Sequence, residues 1–288
     1  MQEQARTIQL QSLQHWQLKR LELLRTRLPS IRGPDSVTVV AYHFWEGDRF
    51  DTQFDYLECS IRETWHHCGL LKTVLVVNRL TRRLEDFAAA ASDWVRLDLC
   101  RDLVPGNLYS MSVDCIRQLH RRFNSAYALI VQNDGFPVRS GLDAFLEKYD
   151  YIGAPWVLGK DDWITRLLLR HRHDVGNGGF SLRSKNLCEQ TAWYYQRKYK
   201  LLPQFYFLTE DYFICKTLPS FERRYREWIR IAPTEVAATF SLEDNIELHD
   251  AVQSRPFGFH GARAFSYLQH EGFIPDPEYG ETLPSNKL

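Results

Sequence analysis

Asp134 stands where a buried run gives way to polar residues. The stretch ALIVQNDGFPVR, residues 128–139, opens with four apolar residues, too few for an independent helix and typical of a strand buried on both faces. Turn-forming Gln132-Asn133-Asp134-Gly135 follows. A carboxylate at the carboxyl end of a central strand in an open α/β sheet lies where such folds bind ligands, so Asp134 is a candidate functional residue; an Asx turn explains the same residues equally well. Gly176-Asn177-Gly178-Gly179 puts three glycines in four positions. That is tolerable where the backbone needs positive φ or another molecule approaches closely, and also in a tight turn. Glu210 and Asp211, in Thr209-Glu210-Asp211-Tyr212-Phe213, open a helix with Thr209 as its expected N-cap, and the helix dipole alone would favour both carboxylates. His260, in PFGFHG, sits between an apolar strand and a glycine turn, where histidine is more often structural than ligating; its place after three suspect motifs raises the functional reading. His171 and His173 have chelating spacing but no third ligand nearby in sequence.

These residues must be positioned by alternating strands and helices. The expected order is a strand Val37–Tyr42, a helix Phe54–His66, a strand Leu71–Val77 ending in Asn78-Arg79, a helix Leu84–Ala91, a strand Trp94–Leu97, a helix Leu108–Phe123, and then the strand before Asp134. Strand, helix, strand repeated three times predicts a parallel sheet with right-handed crossovers. No G-x-G-x-x-G or P-loop follows the first strand, so any nucleotide is held another way. Beyond Arg139 the pattern is less regular: a short strand runs into Gly153-Ala154-Pro155-Trp156, and residues 157–175 form a long connection, basic near Arg166, Arg170 and Arg172, expected to be a lid or binding loop. Phe180–Leu182 reads as a strand and Ser184 as the N-cap of a helix through Tyr195.

Residues 1–28 read as one helix with Leu10, Leu13, Gln17, Leu21, Leu24 and Leu28 along one stripe, interrupted only at Gln17. Residues 1–32 carry six basic and two acidic side chains. A helix packed on the body, a homodimerising coil and a membrane-surface helix all fit. Pro29, Gly33 and Pro34 close the segment, and Pro- and Gly-rich residues 275–288 read as a tail. The domain boundaries expected are an N-terminal amphipathic helix over 1–33 and one domain over 34–274, divided into a nucleotide-binding half (34–139) and an acceptor half (140–274).

Bulk properties exclude rather than identify. Lys+Arg and Asp+Glu are both 36 of 288 residues, which argues against a nucleic-acid partner. No run approaches the roughly 18 apolar residues of a membrane span, and the N-terminus lacks a signal-peptide pattern, so the expected location is cytoplasmic, with a peripheral position at the inner membrane face open through the basic helix. The six cysteines are scattered without a C-x-x-C pair and read as reduced, mostly buried residues.

Taken in order, QNDG, YDYIGAPW, VGNGGFSLRS, TEDYF and FGFHG resemble the nucleotide-sugar glycosyltransferases of the GT-A fold, and most closely a largely uncharacterised family of GT-A-like domains in which these elements recur. The likeness covers roughly Ser36 to Phe265. It implies an α/β, GT-A-like (Rossmann-like) fold with a mostly parallel central sheet flanked by helices, an N-terminal helix and an irregular C-terminal half. It also implies transfer of a sugar from a nucleoside diphosphate sugar, a UDP-sugar being favoured, to a hydroxyl of a glycan or glycolipid. By resemblance, Asp134 and His260 are metal ligands for Mn²⁺ or Mg²⁺. The usual Asp-x-Asp is here Gln132-Asn133-Asp134, with only its last acidic position. The resemblance makes Asp211 the general base of an inverting reaction, with Glu210 as the alternate. Tyr42, Asn78, Arg79, Asn133, Asp134 and Gly135 are then expected at the donor, and Trp156, Gly176, Asn177, Gly178 and Gly179 at the sugar and acceptor pocket. Two other classes fit the same residues: a non-catalytic nucleotide-sugar or glycan-binding module, and a metal-dependent phosphoesterase or nucleotidyltransferase built on Asp134 and His260.

Overall fold

The structure, a computed structural model, describes residues 2–26, 28–156, 174–201, 209–252 and 254–277. The expected basic connection around Arg166 to His173 and most of the 275–288 tail lie outside these residues. A six-stranded sheet has the order β3-β2-β1-β4-β7-β6, formed by β1 (Val37–His43), β2 (Lys72–Val77), β3 (Val95–Leu99), β4 (Tyr127–Val131), β6 (Tyr151–Ile152) and β7 (Phe180–Ser184). The pairs β1–β2, β2–β3 and β1–β4 are parallel. The expected parallel half is therefore present, joined by α2 (Arg49–Cys68), α3 (Arg82–Ala90) and α4 (Leu108–Arg122). On the far side of β4 the sheet turns antiparallel, β7 pairing with β4 and β6 with β7.

Burial on both faces explains the unbroken apolar runs. Along β1, Val37, Val39 and Ala41 join the large core beneath α2, whereas Val40 and Tyr42 face the smaller core under α4. In α2, Phe54, Leu57, Ile61 and Trp65 recur at helical spacing and are fully buried. Asn107 caps α4 by accepting from the backbone N–H of Tyr109 at 2.9 Å and of Ser110 at 3.2 Å.

A second, three-stranded sheet joins β5 (Gly135–Pro137), β9 (Gly258–His260) and β8 (Ser241–Leu242), with β9 in the middle. Its apolar face packs against α1 (Gln2–Arg25) and the C-terminal helix Ala262–His270 in a third core that contains Leu13, Trp16, Leu21, Phe136, Phe259 and Phe265. The buried part of the N-terminal stripe is thus covered by the chain's own body, α2 and the C-terminal helix, while Leu10 is exposed. Gln17, the polar interruption, is 1% exposed. Its Nε2 donates to the backbone oxygen of Asn133 at 2.6 Å. Among the described residues no helix is long and apolar enough to cross a membrane.

Candidate functional site

Two pairings bring the motifs together. The antiparallel register of β4 and β7 sets Val131 opposite Phe180, which lays Gln132-Asn133-Asp134 beside Gly178-Gly179. The register of β5 and β9 sets Gly135 opposite His260, and Gly261 N donates to Asp134 O at 2.8 Å. His260 is consequently delivered to Asp134 by backbone pairing.

Around the imidazole, Nε2 lies 3.2 Å from Asp134 Oδ1 and 3.1 Å from Gln132 Oε1, and Nδ1 lies 3.0 Å from Glu243 Oε1. Burial opposes the imidazolium, but the charges and hydrogen bonds of Asp134 and Glu243 outweigh it and hold the pKa well above its ordinary value. Burial likewise opposes the Asp134 carboxylate, yet the charge and hydrogen bond of His260 prevail and hold its pKa below the usual range. The Asp134 side chain remains 32% exposed. A carboxylate, an imidazole and an amide oxygen therefore meet at one point, and the far nitrogen of the imidazole is fixed by a second carboxylate, as is common for metal-ligating histidines. Among the described residues no group of three or more His, Cys, Asp or Glu could hold a metal ion alone. Once His260 gives up its Nε2 proton, this donor set fits a cation whose remaining ligands come from water and substrate.

The second cluster lies under the same glycine turn. Arg183 on β7 is completely buried. Its Nη2 donates to Glu210 Oε1 at 2.9 Å and to Gly178 O at 3.3 Å, its Nε donates to Ser181 Oγ at 3.0 Å, and Ser112 Oγ of α4 donates to the other Glu210 oxygen at 2.8 Å. Burial raises the Glu210 carboxyl, but Arg183 and Ser112 pull its pKa below the usual value. Asp211 is in the opposite condition: burial and then the neighbouring Glu210 charge push its pKa up. Its Oδ2 accepts from Gly178 N at 2.8 Å, and its Oδ1 accepts from Tyr212 N at 2.7 Å and from Thr209 Oγ1. Thr209 is thus not the side-chain cap expected; its hydroxyl turns to Asp211 instead. The helix expected there begins at Glu210–Tyr212, passes through a π-helical turn, Phe213–Thr217, and continues as Leu218–Phe221.

The glycine turn joins the two clusters, in a way that differs from its expected use. The left-handed residue is Asn177 (φ 50°), which tolerates that region, and no flanking glycine has positive φ. The glycines are required by close approach. A Cβ on Gly176 would stand 1.8 Å from Trp156, on Gly178 2.3 Å from Glu210 Oε1, and on Gly179 2.1 Å from His260 Nε2. Trp156 also lies 6.2 Å, ring to ring, from Tyr212.

Other expected donor residues are dispersed. Tyr42 lies in the core, where strand alternation turns it, 7% exposed, with its hydroxyl donating to Asp114 Oδ2 at 3.0 Å. Asn78 Nδ2 donates to Trp45 O at 3.3 Å, and Arg79 donates to Gly47 O at 3.2 Å with its guanidinium over Phe50. Asn133 Nδ2 donates to Gln53 Oε1 at 2.8 Å, anchoring the turn to α2. Sequence reasoning gave no site role to Gln132, Arg183, Ser112, Glu243 or Gln17. Only Arg183 and Gln17 carried a signal, a charge inside a strand and a polar residue in an apolar stripe.

Residues 111–260 match the model of a family described as "Protein of unknown function (DUF5672)". The chain belongs to this family. The family's matched region encloses Ser112, Asp134, Arg183, Glu210, Asp211 and His260. No curated protein matches the chain. Among solved structures it is similar to the apo-form glycosyltransferase GlyE of Streptococcus pneumoniae TIGR4, at 11% identity and a TM-score of 0.45, covering 79% of this chain and 54% of that one. The match therefore spans about half of GlyE. Mouse xyloside xylosyltransferase 1, apo form, is 10% identical with a TM-score of 0.46, covering 78% and 97%. The mannosyltransferase PcManGT of Pyrobaculum calidifontis, in complex with GDP-Man and Mn²⁺, is 14% identical with a TM-score of 0.31, covering 65% and 56%.

Proposed function

We propose that this chain is a glycosyltransferase that moves a sugar from a nucleoside diphosphate sugar, a UDP-sugar being the favoured donor, to a hydroxyl of a glycan or glycolipid with inversion. The observation that carries the reading is the glycine turn. One glycine amide holds Asp211, and the next leaves room for His260, which pairs with Asp134. A base and an anion-steadying pair thus share one short segment, as displacement of a diphosphate by a hydroxyl requires.

Asp211 takes the proton of the acceptor hydroxyl. Its raised pKa makes it a stronger base than an ordinary aspartate, and the hydrogen bonds to both of its oxygens fix where it points. The freed oxygen attacks the anomeric carbon as the bond to the diphosphate oxygen breaks. Glu210, with both oxygens engaged by Arg183 and Ser112, positions Asp211 and does not exchange a proton. Asp134 and His260, with Gln132 beside them, would hold Mn²⁺ or Mg²⁺, which when bound supplies positive charge to the leaving diphosphate. Trp156 and Tyr212 offer an apolar wall to a sugar ring beside the glycine turn.

The test combines ligand-induced thermal shifts with product analysis. UDP with Mn²⁺ should raise the melting temperature more than either alone, and a UDP-sugar should release UDP. Asp134→Asn should abolish both effects. Asp211→Ala should lower turnover at least about a hundredfold while donor affinity changes only a few-fold. Release of UMP in place of UDP, or parallel loss of turnover and affinity in Asp211→Ala, would reject the assignment.

A further inference from the structure

A cavity of about 320 Å³ lies on the other side of β5 from His260, between the carboxyl ends of α1 and α2 and the last described residues. Its apolar wall includes Trp16, Phe136 and Val138, with Trp16 stacked on Phe136 at 5.5 Å. Its polar wall is cationic. Arg20, Arg139 and Arg255 face it, and the one carboxylate in the lining, Glu63, is engaged by Arg20 at 2.5 Å. Among the described residues Arg139 and Arg255 meet no carboxylate. Arg255 Nη2 donates to the backbone oxygens of Val138 and Phe273, both at 2.5 Å, and Arg139 Nε donates to Arg255 O at 3.1 Å. Among the described residues Arg255 Nε is buried with no hydrogen-bond partner. Burial lowers the pKa of both arginines, and Arg139 lowers that of Arg255 further. Two partly buried guanidiniums in one lining disfavour each other, and an anion between them would relieve this. Backbone carbonyls nonetheless fix them beside an apolar hollow.

We propose that this cavity is a second binding site, taking a small organic anion whose apolar body lies on Trp16, Phe136 and Val138 and whose carboxylate or phosphate head is held by Arg139 and Arg255. The cavity volume suits a single ring or a short acyl chain, and the fork geometry of a guanidinium suits either head group. The site is separate from the proposed transfer chemistry, and its test reads a different residue.

Trp16 supplies the readout, because its indole Nε1–H donates to Pro275 O at 2.9 Å within the lining. Its ¹H–¹⁵N indole resonance, assigned by Trp16→Phe, is followed in the full chain during titration with phenyl phosphate, inorganic phosphate or phenol. Phenyl phosphate should shift it saturably, and inorganic phosphate and phenol should each bind at least tenfold more weakly. Arg255→Met should weaken phenyl phosphate at least tenfold; because Arg255 also ties two backbone carbonyls, Arg139→Leu serves as the milder variant with the same expectation. An unmoved Trp16 resonance, equal binding of phenol or inorganic phosphate, or full phenyl phosphate affinity in both variants would overturn the proposal.

Discussion

Asp211 and Glu210 are adjacent in sequence and opposite in condition. The guanidinium of Arg183 neutralises Glu210, whereas Asp211 faces that carboxylate with only neutral hydrogen-bond donors, so its proton is held more tightly. Since the proposed base works only when ionised, activity should fall as pH drops through the raised pKa. The acidic limb of kcat/KM should therefore lie above the ordinary aspartate value of 3.8. Glu210→Gln removes the repelling charge and should move that limb to lower pH; a limb that stays in place would detach Asp211 from the rate. Arg183→Met tests the same network for stability. It strands a buried carboxylate, and breaking such a pair costs about 3–5 kcal/mol, readable as a lower denaturant midpoint. An effect below 1 kcal/mol would mean that water reaches Glu210. Neither Arg183 nor Glu243 could be assigned a partner from sequence, because Glu210 and His260 are brought to them by chain folding, 27 and 17 residues away. Asp134 and Asp211 could be singled out as candidates because each stands where an element starts or ends, and local sequence marks such places.

At the scale of elements, the readable part was the part with a period. Strand and helix alternate from Val37 to Val131, and the parallel β3-β2-β1-β4 half follows from that alternation and right-handed crossover. The antiparallel pairing of β7 with β4 has no such signal, since β6 and β7 are short and separated from β4 by irregular chain. Yet that pairing brings the glycine turn to Asp134. Gly179→Ala is its most direct probe, because the new methyl would stand 2.1 Å from His260 Nε2 and the ring would have to move. The variant should fold, with His260 displaced and Mn²⁺-dependent thermal stabilisation by UDP lost; undiminished stabilisation would remove His260 from the donor site. Gln17 binds the N-terminal helix to the same turn. Gln17→Leu deletes the short hydrogen bond to Asn133 O, worth about 1 kcal/mol, with the longer ones to Tyr56 O and Ser60 Oγ, and should loosen donor binding along with stability. A variant that loses stability but keeps donor affinity would confine α1 to a packing role.

Across the whole molecule, balanced charge hides an asymmetry in how protons are bound. His43 is 1% exposed between Phe50 and Phe54, and burial lowers its pKa from 6.5 to about 3. The His67 side chain, 22% exposed beside the cavity arginines, is likewise lowered to about 3 by burial and then by His66, Arg255 and Arg20. Once unfolded, both histidines regain pKa values near 6.5, so between that pH and about 3 the unfolded chain binds more protons than the native one. The two histidines therefore lower stability as pH falls through this window, by at most about 1.4 kcal/mol per pH unit each, opposed where the raised Asp211 carboxyl takes up its proton. Denaturant midpoints should accordingly decline from pH 6.5 downward, before ordinary carboxylates titrate. His43→Leu and His67→Gln should each flatten the decline between pH 6 and 5, because neither replacement can take up a proton in the unfolded chain. Midpoints that stay level across this range in the unaltered protein, or a slope that both substitutions leave untouched, would show that these imidazoles are already protonated in the native state. That outcome would require water or a counter-ion beside His43, which would open the carboxyl end of β1, where Asn78 and Arg79 also lie, to solvent.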